Sequence, residues 1–137
     1  MSDNLPDISP QLPPDLDRLT GATRKRAEQM WTDLWLVGEG TYTETDAFVI
    51  ERYISLQLRR SRLLAMLDHE GLMVVGSQGQ PVAHPAIRAV ATIEAMMPGL
   101  EDKLGLTPDS RRRLGMGGSN GESTFDSFIE ALTSEEE

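Results

Sequence analysis

The chain contains no cysteine. Disulfides and thiolate metal sites are therefore excluded, and a reducing compartment is permitted. No apolar run reaches the roughly 18 residues that a membrane-spanning helix requires. The opening Met1-Ser2-Asp3-Asn4-Leu5-Pro6-Asp7 is acidic and carries proline, unlike the basic, apolar start of a secretory signal. Together these absences lead us to expect a soluble, intracellular protein. No glycine-rich stretch leads into Lys-Ser or Lys-Thr at phosphate-loop spacing. The only two histidines, His69 and His84, lie far apart with no cysteine nearby, a poor start for a metal site. Asp68 beside His69 does not make a triad, because triads are defined by spatial geometry rather than adjacency. Accordingly we expect no catalysis, cofactor or metal.

Basic residues are also missing from both ends. Residues 1–17 hold four acids and no base, and residues 119–137 hold six acids and no base. The middle of the chain, 18–118, carries twelve acids against all thirteen bases. The net charge of −9 therefore resides in the tails, and the centre is near neutral. Acidic tails around a folded centre are the pattern of interaction arms. A near-neutral centre with clustered arginines can touch DNA, but only over a limited patch. At 137 residues the chain is long enough for one domain, or one compact core with tails. We divide it into a disordered arm (1–19), a helical core (20–115) and a flexible linker with an acidic amphipathic segment (116–137).

Pro6, Pro10, Pro13 and Pro14 deny residues 1–19 a helix or central strand, so a mobile arm or a strap on a neighbouring subunit is expected. The first helix is predicted from about Gly21 to Val37, capped by Thr20 or Thr23. Ala27, Met30, Trp31, Leu34 and Val37 form its apolar stripe, Trp35 lies off that stripe, and Gly38-Glu39-Gly40 ends the helix. A second helix starts at Thr43, with Asp46 completing an approximate capping box, and runs to about His69 before Gly71. At 1.5 Å per residue it is roughly 40 Å long. Glu51, Arg52, Ser55, Arg59 and Arg62 share a polar sector of about 100°. These arginines are expected to line a channel or, preferably, to pair with Glu51 and a neighbour's acids. Val49, Ile50, Tyr53, Ile54, Leu56, Leu58, Leu63, Leu64 and Leu67 spread over a much wider arc, with Arg60 inside it. So wide an arc predicts several packing partners, intramolecular or from other subunits.

Leu72-Met73-Val74-Val75 and Pro81-Val82-Ala83-His84 predict a short hairpin. The third helix begins at Pro85. Ala86, Val90, Ile93, Met97, Leu100 and Leu104 alternate spacings of four and three, the seam of helix-on-helix packing. Pro98 should kink or break it near Met97. Gly105 then suits a left-handed helix stop. Thr107 and Pro108 suit an N-cap and first position, and Asp109 a first turn. In the tail, Phe125, Phe128, Ile129 and Leu132 fall at helical spacing, a minimal amphipathic helix suited to a partner's groove. Two cation runs are candidate DNA contacts. Arg24, Lys25 and Arg26 lie in a first helical turn, where cations oppose the helix dipole and a phosphate backbone would account for them. Arg111, Arg112 and Arg113 lie at a helix end that favours cations anyway.

The ordered series from Ala27, Trp31, Leu34 and Leu36, through Thr43-Glu44-Thr45-Asp46, Tyr53, Glu70-Gly71-Leu72 and the glycine-containing hairpin, to His84-Pro85-Ala86 and Leu104-Gly105-Leu106-Thr107-Pro108-Asp109-Ser110-Arg111, resembles the small terminase subunit of tailed bacteriophages over about residues 19–115. Pro98-Gly99 departs from the uninterrupted helix of that pattern. The resemblance implies a mainly helical protein assembling as a ring; joined to the elements read above, the expected fold is a helix-turn-helix-like pair with a long central helix, a short hairpin and a kinked third helix. It implies binding to the packaging site on double-stranded viral DNA and recruitment of the large subunit, which holds the ATPase and nuclease. On this basis Ile50, Tyr53, Ile54, Leu58 and Arg60 are expected at the oligomer interface. Phe125, Phe128, Ile129 and Leu132 are expected against the large subunit. The expected location is the host cell cytoplasm rather than the mature virion. The rival readings are a dimeric helix-turn-helix regulator and a DNA-free adaptor.

Overall fold

Helix starts and glycine stops, at Gly38, Gly71 and Gly105, organise most of the chain. The computed structural model describes residues 9–116, 128–130 and 132. Its elements are α1 (Pro14–Asp17), α2 (Gly21–Val37), a 3-10 turn (Glu44–Asp46), α3 (Ala47–Glu70), β1 (Met73–Val75), β2 (Pro81–Ala83), α4 (Pro85–Leu104) and α5 (Pro108–Arg113). The fold is mainly helical, with one two-stranded antiparallel sheet. The Thr43 N–H donates to Asp46 Oδ2 at 2.7 Å, and this contact initiates the turn that leads into α3. Gly71, at φ +86°, caps α3 at its far end.

α3 and α4 form an antiparallel pair tied at three levels. Tyr53 Oη donates to Glu101 Oε2 at 2.9 Å, and Arg60 Nε donates to Glu94 Oε2 at 2.9 Å. His84 Nδ1 accepts the Ala86 N–H at 3.0 Å, capping α4. Its Nε2 is thereby left to donate to Glu70 Oε1 at 2.9 Å. The partners climb one helix as they descend the other. The four-three seam is realised: Ala86, Val90, Ile93, Met97 and Leu104 are buried, and Leu100 packs partly against the core. Pro98 does not break α4, which continues, bent, to Leu104. The hairpin closes the pair with Met73 opposite Ala83 and Val75 opposite Pro81.

The turn after α2 is set by contact as much as by backbone freedom. Trp35 lies edge-on to Trp31 (5.7 Å, 66°) and to Tyr42 (5.8 Å, 82°), so the tryptophan off the stripe is also buried. The Tyr42 ring lies directly on Gly38, where an added Cβ would stand 2.1 Å from it. Tyr42 Oη then reaches the Leu104 carbonyl at 2.5 Å and links the α2–α3 turn to the end of α4. Burial raises the pKa of both the Tyr42 and Tyr53 phenols, and the Glu101 carboxylate adds to this at Tyr53. Both hydroxyls therefore remain protonated donors.

Two expectations change here. Over 9–19 the arm is not free. The Trp31 indole donates to the Pro10 carbonyl at 2.7 Å, and Leu16 on α1 is buried in the core. Four prolines prevent a long helix, but they do not prevent an extended strap from burying one leucine. The oligomer-interface assignment of Ile50, Tyr53, Ile54, Leu58 and Arg60 is also corrected. The four apolar side chains are buried within one subunit, and Arg60 pairs with Glu94 of the same chain. The strap, α2 and α4 supply the cover that the wide arc demanded, so the arc by itself does not require neighbouring copies.

Three substitutions test this packing by chemical denaturation. Gly38→Ala drives a methyl into the Tyr42 ring and should cost about 1 to 3 kcal/mol through overpacking. Tyr53→Phe leaves Gln57 and Glu101 without the hydroxyl that both contact and should cost about 1 to 3 kcal/mol. Phe128 is 1% exposed and joins the core cluster, with Leu132 packed partly against it. Phe128→Ala should therefore cost about 3 to 5 kcal/mol, an effect that a purely external residue would not show.

Candidate nucleic-acid interface

Three of the six cations singled out in the sequence, Arg24, Arg112 and Arg113, lie within ion-pair distance of acids of the same chain. Arg24 Nη2 meets Asp17 Oδ1 at 2.9 Å, and its Nε meets Glu28 Oε2 at 3.4 Å. The Asp17 hydrogen bond, foremost among the contacts, raises the Arg24 pKa further. These pairs explain a cation in the first turns of α2 without a phosphate: the acids beside it offset the unfavourable helix dipole. Lys25 projects into solvent with no ion-pair partner among the described residues, whereas Arg26 is half-buried. On α5, Arg112 lies 3.8 Å from Asp109, and Arg113 lies 2.9 Å from Asp102. Arg111 is half-buried. The helix itself forms as the sequence indicates. Gly105 takes the left-handed conformation at φ +73°. The Leu106 N–H reaches Glu101 O at 2.9 Å, closing a Schellman-type stop. Thr107 Oγ1 then accepts the Ser110 N–H at 3.1 Å, and Ser110 Oγ accepts the Thr107 N–H at 3.1 Å.

Among the described residues, a different group of cations is left without acid partners. Arg18, Arg52, Arg59 and Arg62 are exposed, and none has a carboxylate within ion-pair distance among the described residues. All four line one trough of about 390 Å³ between α1, the start of α2 and α3. Asp15, Glu51 and Ser55 line it too, and so does Phe48, 73% exposed. A second depression adjoins it, sharing Thr23, Leu58 and Arg62 and adding Arg26 and Ser61. The polar sector of α3 therefore faces an open trough, and its arginines do not pair with Glu51. Arg18 and Phe48 escaped the sequence reading. Phe48 had a visible signal: at 100° per residue it falls in the middle of the polar sector that runs from Glu51 to Arg52. Arg18 had none, because only the fold of the strap brings it to α3.

The sequence-predicted partner-binding residues fall on both sides of the described boundary. Phe128 is buried, Ile129 is exposed and Leu132 is half-buried. Phe125 lies outside the described residues. Among the described residues no cluster of three or more His, Asp or Glu side chains is placed to hold a metal ion. No helix among them is long and apolar enough to cross a membrane.

Residues 27–120 match the family model of the phage terminase small subunit. No curated protein and no solved structure shows a significant match. The matched segment runs from within α2 to beyond α5, which is most of the chain: the protein belongs to the phage terminase small-subunit family.

Proposed function

We propose that the chain is the DNA-recognition subunit of a viral packaging machine. It binds double-stranded viral DNA at the packaging start site and recruits the large subunit, which supplies the ATPase and nuclease, with no catalysis of its own. The observation that carries this reading is the family match from Ala27 to Asn120. Membership supports a DNA-packaging role in general; the contacts with DNA and with the large subunit are our inference. The chemistry of the surface agrees with a duplex partner. In a chain of net charge −9, four arginines of one trough have no acid partner among the described residues. Local charge can therefore attract a polyanion that the whole chain would repel. The acidic C-terminal segment suits a tether to the large subunit, with Ile129 exposed and Phe128 and Leu132 folded inward until a partner competes for them. The site of action is the host cytoplasm.

A ring of copies is the assembly we favour. From Arg59 to Glu70 no side chain of α3 is fully buried, and Met66 is exposed. Leu72, Met73, Val75, Ile87 and Met96 extend this apolar surface over the hairpin and the outside of α4. Exposed apolar side chains in such number suit contact between copies. Repetition around a ring also makes a weak phosphate contact effective through avidity.

Native mass measurement and duplex binding test the proposal together. The expected result is a discrete particle far heavier than twice the 15.1 kDa chain that binds duplex DNA at low salt and releases it as salt rises. It should also retain the large subunit in a pull-down. A folded monomer at micromolar concentration rejects the ring. A stable dimer favours the helix-turn-helix regulator. Absence of duplex binding at low salt favours the DNA-free adaptor.

A further inference from the structure

We propose that the trough between α1, the start of α2 and α3 grips the sugar–phosphate backbone of one DNA strand through Arg18, Arg52, Arg59 and Arg62, with Phe48 set against the sugars or bases. The inference rests on the DNA-binding reading above and assigns its contacts to residues other than the two cation runs. Three observations carry it.

The first is the division of the cations. Arg24, Arg112 and Arg113 each lie within ion-pair distance of an acid of the same chain: Asp17 and Glu28, Asp109, and Asp102 respectively. The four trough arginines have no acid at ion-pair distance among the described residues, although Asp15 and Glu51 line the same trough. Like charges converging in about 390 Å³ repel one another until an anion enters. An arginine fork is shaped to take two phosphate oxygens at once.

The second is spacing. Arg52 and Arg59 are seven residues apart and stand within about 20° of each other on the helix, about 10 Å apart along its axis. Arg62 lies about 15 Å from Arg52 along the axis and turns toward α2, where Arg26 continues the basic surface in the adjoining depression. A strand advances about 3.4 Å along the duplex axis per phosphate. The α3 arginines therefore reach over several successive phosphates of a strand rather than a single one. A small anion would occupy one fork and leave the others unmet.

The third is Phe48. It is 73% exposed, lines the trough and lies one helical turn before Arg52. An exposed phenyl ring among arginines gains nothing from water. Beside a nucleic-acid strand it gains an apolar or stacking surface that the arginines cannot provide. An acidic peptide, such as the chain's own Glu-rich tail, would match the arginines but leaves the ring unexplained.

The test uses the full chain and a fluorescent duplex, with anisotropy followed across a salt series. The trough arginines are exposed, so the triple variant R52A/R59A/R62A should keep the native mass and helical circular dichroism of the parent. It should bind at least tenfold more weakly, and its slope of log affinity against log salt should flatten by about 0.9 for each phosphate no longer neutralised. The variant R52K/R59K/R62K should recover much of that slope, because lysine keeps the charge. Phe48→Ala should weaken binding about fivefold or more and leave the slope unchanged, since the ring meets no phosphate. Wild-type affinity in the trough triple, with binding abolished instead in R24A/K25A/R113A, overturns the trough assignment and leaves DNA binding standing. Undiminished DNA binding, with capture of a synthetic peptide of residues 119–137 abolished, also overturns it, in favour of an acidic-peptide groove. If the unmodified protein binds no duplex even at low salt, the DNA-binding reading itself fails, and the trough's ligand fails with it.

Discussion

The first half of α3 imposes the constraint from which the rest of the fold follows. Ile50, Tyr53, Ile54, Leu56 and Leu58 spread around a large part of one helix, and all are buried. A single packed neighbour covers only a narrower stripe. The chain solves the problem by converging on this half from several directions, with α2, α4 and the strap carrying Leu16 all contributing to one cluster. The burial also forces polar detail. Tyr53 can enter the interior only because Glu101 and Gln57 meet its hydroxyl, since a buried hydroxyl without partners is costly. Tyr42 meets the same requirement through the Leu104 carbonyl, and in doing so ties the α2–α3 turn to the end of α4.

The second half of α3 is under no such demand. It extends with α4 and the hairpin, tied by Glu70–His84 and Arg60–Glu94, and leaves apolar side chains uncovered. One helix thus serves two purposes along its length. Its first half builds the subunit, and its second half leaves Met66 exposed, on the face where we propose that other copies dock. Because both halves belong to one helix, whatever binds its far end is held at a defined distance from the arginine trough, which runs along the same helix from Phe48 to Arg62. In a family whose members work in DNA packaging, that rigid link offers a physical route from assembly to recognition.

Charge follows the same local logic. Adjacent cations in sequence are easily satisfied by nearby acids, as Arg24 is by Asp17 and Glu28 and Arg112 is by Asp109. Cations spread at helical spacing along an exposed face meet fewer acids, because the opposite face of α3 is committed to the core. Among the described residues, four of the cations without an acid at ion-pair distance, Arg18, Arg52, Arg59 and Arg62, share one trough although they are scattered in the sequence.

Local signals in the sequence determined the elements. The stop at Gly105 and the start at Thr107 were legible because a left-handed glycine and a capping hydroxyl act within a few residues. The four-three seam of α4 and the hairpin followed from periodicity in the same way. The tertiary structure alone decided what each face meets. It docked the proline-rich strap through Trp31 and Leu16, turned Phe128 inward, enclosed the residues expected at an interface, and brought Arg18 to the arginines of α3. These outcomes depend on contacts between residues far apart in the chain. Spacing along one helix states which side chains share a face, but it carries no information about which distant element will cover that face or leave it open.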